Sequence, residues 1–291
     1  MNLDPNILLK YKKAAEIMAS TIDPVLLPLL FMNHQTIKEV INQDPYAGAM
    51  SNRSETVLLA CYPRSGSTFT FQVLMEVLGY RRATFTYARK RSEHDLYIPM
   101  LLSNLNANTI SQQHILATDA NLGLLEVFDI KCVILVRNIF DALISLFRAY
   151  KDKGKHAFIF GGYCEDWSDE LLMDYLIEFR LPWYLHFYIS WSYAIENGQL
   201  SQTLVCYEDM VFNEVVYFEN ILTSLGSSKS NIAIQNAIQK VRDGGAHRLS
   251  KDKDWRQEEV LSKKQKEKIV SVTSLYKKCY EWLDFTKIGI Y

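Results

Sequence analysis

A short apolar run, Thr56–Tyr62 (TVLLACY), leads straight into Pro63-Arg64-Ser65-Gly66-Ser67-Thr68, and this junction constrains the fold more than any other stretch of the chain. Runs of this kind, partly β-branched and without alternation, are the pattern of a strand covered on both faces. Behind the junction Phe69, Val73, Leu74 and Val77 recur at the spacing of one helical face. Ser67 and Thr68 supply capping hydroxyls, and Gly79 ends the run. A strand that enters a helix through small residues gathers backbone N–H groups around an anion, and the helix dipole favours its charge. The candidate anion ligands are therefore Ser65, Gly66, Ser67 and Thr68, with the guanidinium fork of Arg64 beside them.

The turn partly imitates the triphosphate-binding pattern G-x-x-x-x-G-K-[ST]. Aligned on Gly66, the first glycine is replaced by Cys61 and the lysine by Ser67, while the cation has moved ahead of the glycine to Arg64. These changes argue against an ordinary ATPase or GTPase. With 291 residues and a hydrophobic fraction of 48%, the chain has material for a sizeable core. Its formal net charge of −1 excludes a grip on nucleic acid by bulk electrostatics, so any anion site is local.

The cysteines, Cys61, Cys132, Cys164, Cys206 and Cys279, are scattered without a C-x-x-C pair, which reads as buried free thiols in a reducing compartment. The beginning of the sequence lacks the build of a secretory signal, and its longest apolar run, 24–32, is about half a membrane span. The expectation is a soluble, cytoplasmic protein without stable membrane insertion, in which that run packs into the core.

Residues 1–50 are expected to form a helical extension, with helices over 5–20 and 25–43, packed on one main domain spanning 51–291. Further strands are expected at 114–118 (HILAT), 131–137 (KCVILVR) and 202–207 (QTLVCY). Helical periodicity falls at 141–151, 169–180, 183–197, 214–225, 231–241 and 262–282. Strands alternating with helices imply an α/β fold with a mainly parallel central sheet flanked by helices, whose ligands collect beyond the carboxyl ends of the strands. Arg64, Asp119, Arg137 and Tyr207 all follow predicted strands.

A second motif follows KCVILVR: Arg137-Asn138-Ile139-Phe140-Asp141-Ala142-Leu143-Ile144-Ser145 brings an arginine at a strand end and a helical serine toward one spot. Together the two motifs resemble the cytosolic-type sulfotransferase family, with its Y-P-[KR]-S-G-[ST]-T loop for a 5′-phosphosulfate and its R-N-x-x-D-x-x-x-S for a 3′-phosphate. Cys206-Tyr207-Glu208-Asp209-Met210 resembles the family's Y-E-D-M strand end. Trp183-Tyr184-Leu185-His186 resembles its W-Y-x-H helix, Arg242-Asp243-Gly244 its late R-K-G element, and Asp254-Trp255-Arg256 the D-W-K that follows.

The resemblance covers about residues 56–256 and implies a P-loop-like three-layer sandwich, most akin to a bacterial small-molecule member. It implies 3′-phosphoadenosine 5′-phosphosulfate (PAPS) as donor, adenosine 3′,5′-bisphosphate as product, and no metal. By resemblance Arg64 and the N–H groups of Ser65 to Phe69 surround the 5′ end, Arg137, Ser145 and Arg242 to Gly244 hold the 3′-phosphate, and Phe69 and Tyr207 lie at the adenine. The family's usual cation is lysine; arginine keeps the charge and does not give up its proton, so Arg64 acts as an electrostatic clamp on the leaving phosphate.

The family's histidine base lies in a K-T-H strand end, and the matching segment is read as Ala117-Thr118-Asp119, which makes Asp119 the expected base through a carboxyl raised by burial. His114, at the entry end of the predicted strand, is the runner-up and His186 the third candidate, better suited to lining the pocket. His247 reads as structural. The expected acceptor pocket takes Tyr163, Glu165, Asp166 and Trp167, with Trp183 and His186. Carboxylates among aromatic rings suit a cationic small-molecule acceptor, such as a guanidinium-bearing natural product of secondary metabolism, although acidic residues also simply favour a helix start. A kinase-like P-loop enzyme and a noncatalytic nucleotide-binding relative are the alternatives, and the molecule is expected to be a monomer or homodimer.

Overall fold

A computed structural model of the chain describes residues 24–43, 54–87, 95–153, 158–159, 162–163, 166–200, 204–245 and 260–291, together with Ile22, Tyr46 and Gly48. A 3₁₀ turn (Pro24–Phe31) leads to helix α1 (His34–Val40), strand β1 (Thr56–Cys61), α2 (Ser67–Leu78), β2 (Arg81–Arg82) and α3 (Ile98–Leu102). Then come β3 (Thr109–Gln113), α4 (Asp119–Val127), β4 (Lys131–Val136) and α5 (Ile139–Lys153). An antiparallel hairpin, β5 (Phe158–Ile159) with β6 (Gly162–Tyr163), precedes α6 (Asp169–Tyr175), which runs through a π turn (Leu176–Arg180) into α7 (Leu181–Glu196). The last elements are β7 (Leu204–Cys206), α8 (Tyr207–Phe212), α9 (Glu214–Ser224), α10 (Asn231–Asp243), α11 (Lys263–Cys279) and a second 3₁₀ turn (Phe285–Ile288).

The central sheet has five parallel strands in the order β2-β3-β1-β4-β7. Along β1 the side chains alternate between two cores. Leu58, Ala60 and Tyr62 join Leu124, Leu143 and Leu185 from α4, α5 and α7 on one face. Val57, Leu59 and Cys61 join Val73, Phe218 and Ile238 from α2, α9 and α10 on the other. A strand whose two faces are both buried in this way builds a helix–sheet–helix sandwich, the expected three-layer α/β architecture.

The register sets Ala60 beside both Gln113 and Ile134, and Val136 beside Cys206, so the carboxyl ends of β1, β3, β4 and β7 line one edge. From β1 the chain runs to the β3 side and then crosses to β4. The crevice at such a reversal is where open parallel sheets place ligands.

Two expected elements are corrected. The strand beside β1 is Thr109–Gln113 (TISQQ), and residues 114–118 lie beyond its carboxyl end without a ladder partner. TISQQ lacks an apolar pattern, yet Ser111 and Gln113 are buried because Gln113 Nε2 donates to Ser111 Oγ at 2.7 Å and the Thr86 hydroxyl reaches Gln113 Oε1 at 3.5 Å. HILAT is apolar because it lies under α7: the Trp191 indole donates to the Ile115 carbonyl at 2.9 Å, and the Ala117 N–H to Ser190 Oγ at 3.2 Å.

The expected helix over 25–43 is instead a 3₁₀ turn followed by a short helix. Pro28 lacks an N–H, and Asn33 restarts the helix as a cap, its side chain accepting the Thr36 N–H. Leu26, Leu29, Ile37 and Ile41 are buried in the larger core, so the apolar run 24–32 is core packing. The expected helix over 5–20, His247 and Asp254 to Arg256 lie outside the described residues.

Candidate active site

At the end of β1 the backbone turns abruptly into α2. Arg64 has φ +70° and Gly66 φ +86°, both in the left-handed region. A Cβ on Gly66 would lie 2.4 Å from the Tyr207 ring, so the turn and the start of α8 fit only because residue 66 has no side chain. Ser65 is buried and donates its hydroxyl to the Tyr62 carbonyl at 2.8 Å, while Ser67 receives the Gln112 side-chain amide at 2.8 Å. Thr68 is exposed at the open end of the helix. Phe69 points into the core and meets Phe218 edge-on at 6.2 Å, which turns it away from a role as an exposed stacking platform.

The second motif joins this turn directly. The Arg137 N–H donates to the Tyr62 hydroxyl at 2.6 Å, and that hydroxyl donates to the Arg137 carbonyl. Burial pushes the Tyr62 phenol well above its ordinary value, so it stays a donor. Arg137 Nη1 donates to the Arg64 carbonyl at 3.1 Å, and its guanidinium lies 4.3 Å from the Tyr207 ring centroid. Arg64 Nε donates to Ser145 Oγ at 2.9 Å. Arg137 Nε is buried and has no acceptor among the described residues. Two guanidinium groups, a hydroxyl and an aromatic ring thus converge outside β1 and β4, and a buried donor left without an acceptor fits an anionic ligand.

From beneath, α7 braces the turn. Tyr184 stacks on Tyr62 at 4.6 Å and donates its hydroxyl to the Pro63 carbonyl at 2.9 Å. His186 is two residues further, on the far side of the helix, where Nε2 lies 3.1 Å from the Tyr276 hydroxyl of α11. Trp183 is half-buried beside Tyr184 and Phe187.

His114 follows β3 immediately, with Nδ1 2.7 Å from the Cys61 carbonyl and 3.4 Å from Cys61 Sγ. It therefore stands at the exit end of the strand, beside the phosphate-type turn, and not at the entry end that the misread strand implied. A carbonyl only accepts, so Nδ1 carries the proton and Nε2 is the basic position of the ring. Asp119 is exposed as the first residue of α4, behind its cap Thr118, where its charge meets the positive helix end.

Two solved structures share this architecture. Mouse sulfotransferase SULT7A1 complexed with PAP superposes with a TM-score of 0.58 at 14% identity, over 79% of this chain and 86% of that one. Retinol dehydratase in complex with androsterone and inactive cofactor PAP gives 0.56 at 15% identity, over 80% and 85%. The chain has the sulfotransferase fold. No protein-family model matches the sequence, and no curated protein matches it either.

Within that sulfotransferase fold the structure brings together Arg64 to Thr68, Arg137, Ser145 and Tyr207. Arg242 and Asp243 end α10, and Gly244 caps it. Arg242 pairs with Glu214, and Gly244 lines a recess with Gly79 and Tyr80 at the far end of α2, about 18 Å along the helix from Gly66. In the expected acceptor region Asp166 is exposed and Trp167 packs edge-on against Tyr175 at 5.3 Å. The Tyr163 side chain and Glu165 lie outside the described residues. The neighbouring Asp169 is held by Lys151 at 2.6 Å in the first turn of α6, as a helix-start carboxylate. Gln112, which orients Ser67, carries no local sequence signal, because its role is a hydrogen bond between distant segments and not apolar period.

Proposed function

We propose that this chain is a PAPS-dependent sulfotransferase for a small-molecule acceptor. The observation that carries the reading is the convergence of Arg64, Ser145 and Arg137, whose buried Nε has no acceptor among the described residues, on one corner of a sulfotransferase fold whose solved neighbours hold PAP. When bound, the donor supplies the sulfuryl group and a phosphate leaving group. Arg64 and the N–H groups of Ser65 to Thr68 hold the 5′ end and offset charge growing on the leaving oxygen, while Arg137 and Ser145 hold the 3′-phosphate. Tyr207, fixed between Gly66 and the Arg137 guanidinium, borders the adenine.

The base is His114. With Nδ1–H held by the Cys61 carbonyl, Nε2 takes the proton from the attacking acceptor hydroxyl. Asp119, exposed at a helix start, serves the helix. Trp183, Trp167 and Asp166 support an acceptor carrying a cationic group, an amine or a guanidinium.

The test is transfer of labelled sulfate from PAPS to a panel of hydroxyl-, amine- and guanidinium-bearing small molecules. Labelled product formed by the wild type and lost in Arg137→Ala is the expected result. Absence of product across the panel, together with stabilisation of the protein by ATP·Mg²⁺ instead of adenosine 3′,5′-bisphosphate, would overturn the reading in favour of a kinase-like enzyme.

A further inference from the structure

The corner formed by Arg137 and Asn138 is pressed from outside the sheet by the C-terminal segment. The second 3₁₀ turn ends at Gly289, φ +79°. Phe285, Ile288 and Ile290 are buried, the Tyr188 hydroxyl of α7 donates to the Asp284 carbonyl, and the Cys206 thiol reaches the Lys287 carbonyl at 3.7 Å. These contacts seat Gly289 directly on the Asn138 side chain. A Cβ at residue 289 would lie 2.1 Å from Asn138 Nδ2 and 2.6 Å from its Cγ.

Asn138 is not free to swing aside. Its Oδ1 accepts the N–H groups of Phe140 at 3.0 Å and Asp141 at 3.3 Å, and its own N–H donates to Glu208 at 2.9 Å. The same residue therefore ties together the start of α5, which carries Ser145, the start of α8, which carries Tyr207, and Arg137 next to it in the chain. Displacing its amide releases the first turn of α5.

We propose that segment 284–290 is a strap that sets the position of the Arg137–Asn138 corner, with Gly289 as the positioning residue through which it acts. The role rests on the reading of Arg137 and Ser145 as the 3′-phosphate ligands. Asn138 and Gly289 line one recess with Thr273 and Lys277 of α11, so the strap meets the corner on its α11 side and tunes nucleotide affinity through Asn138.

Gly198 provides the control. It has φ +67° but nothing within 4 Å of an added Cβ, so Gly198→Ala carries similar backbone strain without the clash. Relative to Gly198→Ala, Gly289→Ala is expected to weaken adenosine 3′,5′-bisphosphate binding about tenfold and to speed hydrogen exchange of the Phe140 and Asp141 amides by about the same factor.

In an Asn138→Ala background the clash has no target, so Gly289→Ala is expected to add no more loss than Gly198→Ala does, and to recover folding should the single variant be unfolded. Equal affinity and exchange in Gly289→Ala and Gly198→Ala would overturn the strap alone. An undiminished penalty in the Asn138→Ala background would do the same. A wild type that does not bind adenosine 3′,5′-bisphosphate at all would overturn the nucleotide reading and the strap with it.

Discussion

At the scale of single residues, Arg64 pairs a useful charge with an unfavourable backbone. A left-handed conformation costs a non-glycine residue about 1–2 kcal/mol, and it persists here because Ser145, the Arg137 contact and the Gly66 turn fix the chain around it. Alanine at this position removes the cation and keeps the strain, whereas glycine removes both at some cost in chain entropy. Denaturant titration is therefore expected to find Arg64→Gly more stable than Arg64→Ala by ~0.5–1 kcal/mol, with both variants losing nucleotide binding.

The two candidate bases are separable by kinetics. His114→Asn is expected to lower turnover by about 10²–10⁴-fold while nucleotide affinity changes little, and Asp119→Asn to leave turnover within about twofold. The reverse pattern would restore Asp119 as the base. The apolar run 114–118 puts His114, the runner-up base, at the entry end of a strand that in fact lies five residues earlier, and so at the wrong end of the sheet.

At the scale of elements, the legible parts were those whose burial is apolar. β1, β4 and the helices α5, α6, α7, α9, α10 and α11 follow from apolar period and end signals, and Gly79 closes α2 as its position suggested, whereas α8 over Tyr207–Phe212 was not expected. β3 was invisible because its buried residues are polar and satisfy one another. The segment after it looked like a strand because α7, and not a neighbouring strand, supplies its hydrogen bonds.

The Trp191 indole is thus a structural donor for the stretch that follows His114. Trp191→Phe leaves the Ile115 carbonyl buried without its partner and is expected to cost about 1–3 kcal/mol of stability by denaturant titration, with faster exchange through 114–118. The anion turn and the Arg137–Ser145 motif were legible because each is continuous in sequence. Gln112, the Asn138–Gly289 contact and the turning of Phe69 into the core depend on packing between distant segments, which no local pattern records.

At the scale of the whole molecule, two cores share one sheet, and Cys61 and Cys132 are buried on opposite faces of it. Burial pushes the Cys61 thiol up to about 12, and Cys132 is raised by the same cause. In the window from the ordinary thiol value near 9 up to about 12, the folded chain holds protons that the unfolded chain releases. Stability is therefore expected to fall as pH rises through that window, each thiol contributing up to about 1.4 kcal/mol per pH unit, and Cys132→Ala to make the fall shallower. Below it both thiols stay protonated, so iodoacetamide is expected to label exposed Cys279 readily and to reach Cys61 and Cys132 only through global unfolding.

The central claim, that a parallel α/β sheet has gathered Arg64, Arg137 and Ser145 to hold a bisphosphorylated nucleotide, is tested most directly by calorimetric titration of the wild type and Arg137→Ala with adenosine 3′,5′-bisphosphate and with ATP·Mg²⁺. The account predicts saturable binding of the bisphosphate without metal, weakened at least about tenfold in Arg137→Ala as charge-assisted hydrogen bonds are lost. Binding of ATP·Mg²⁺ with no response to the bisphosphate, or equal affinity in the two proteins, would contradict it.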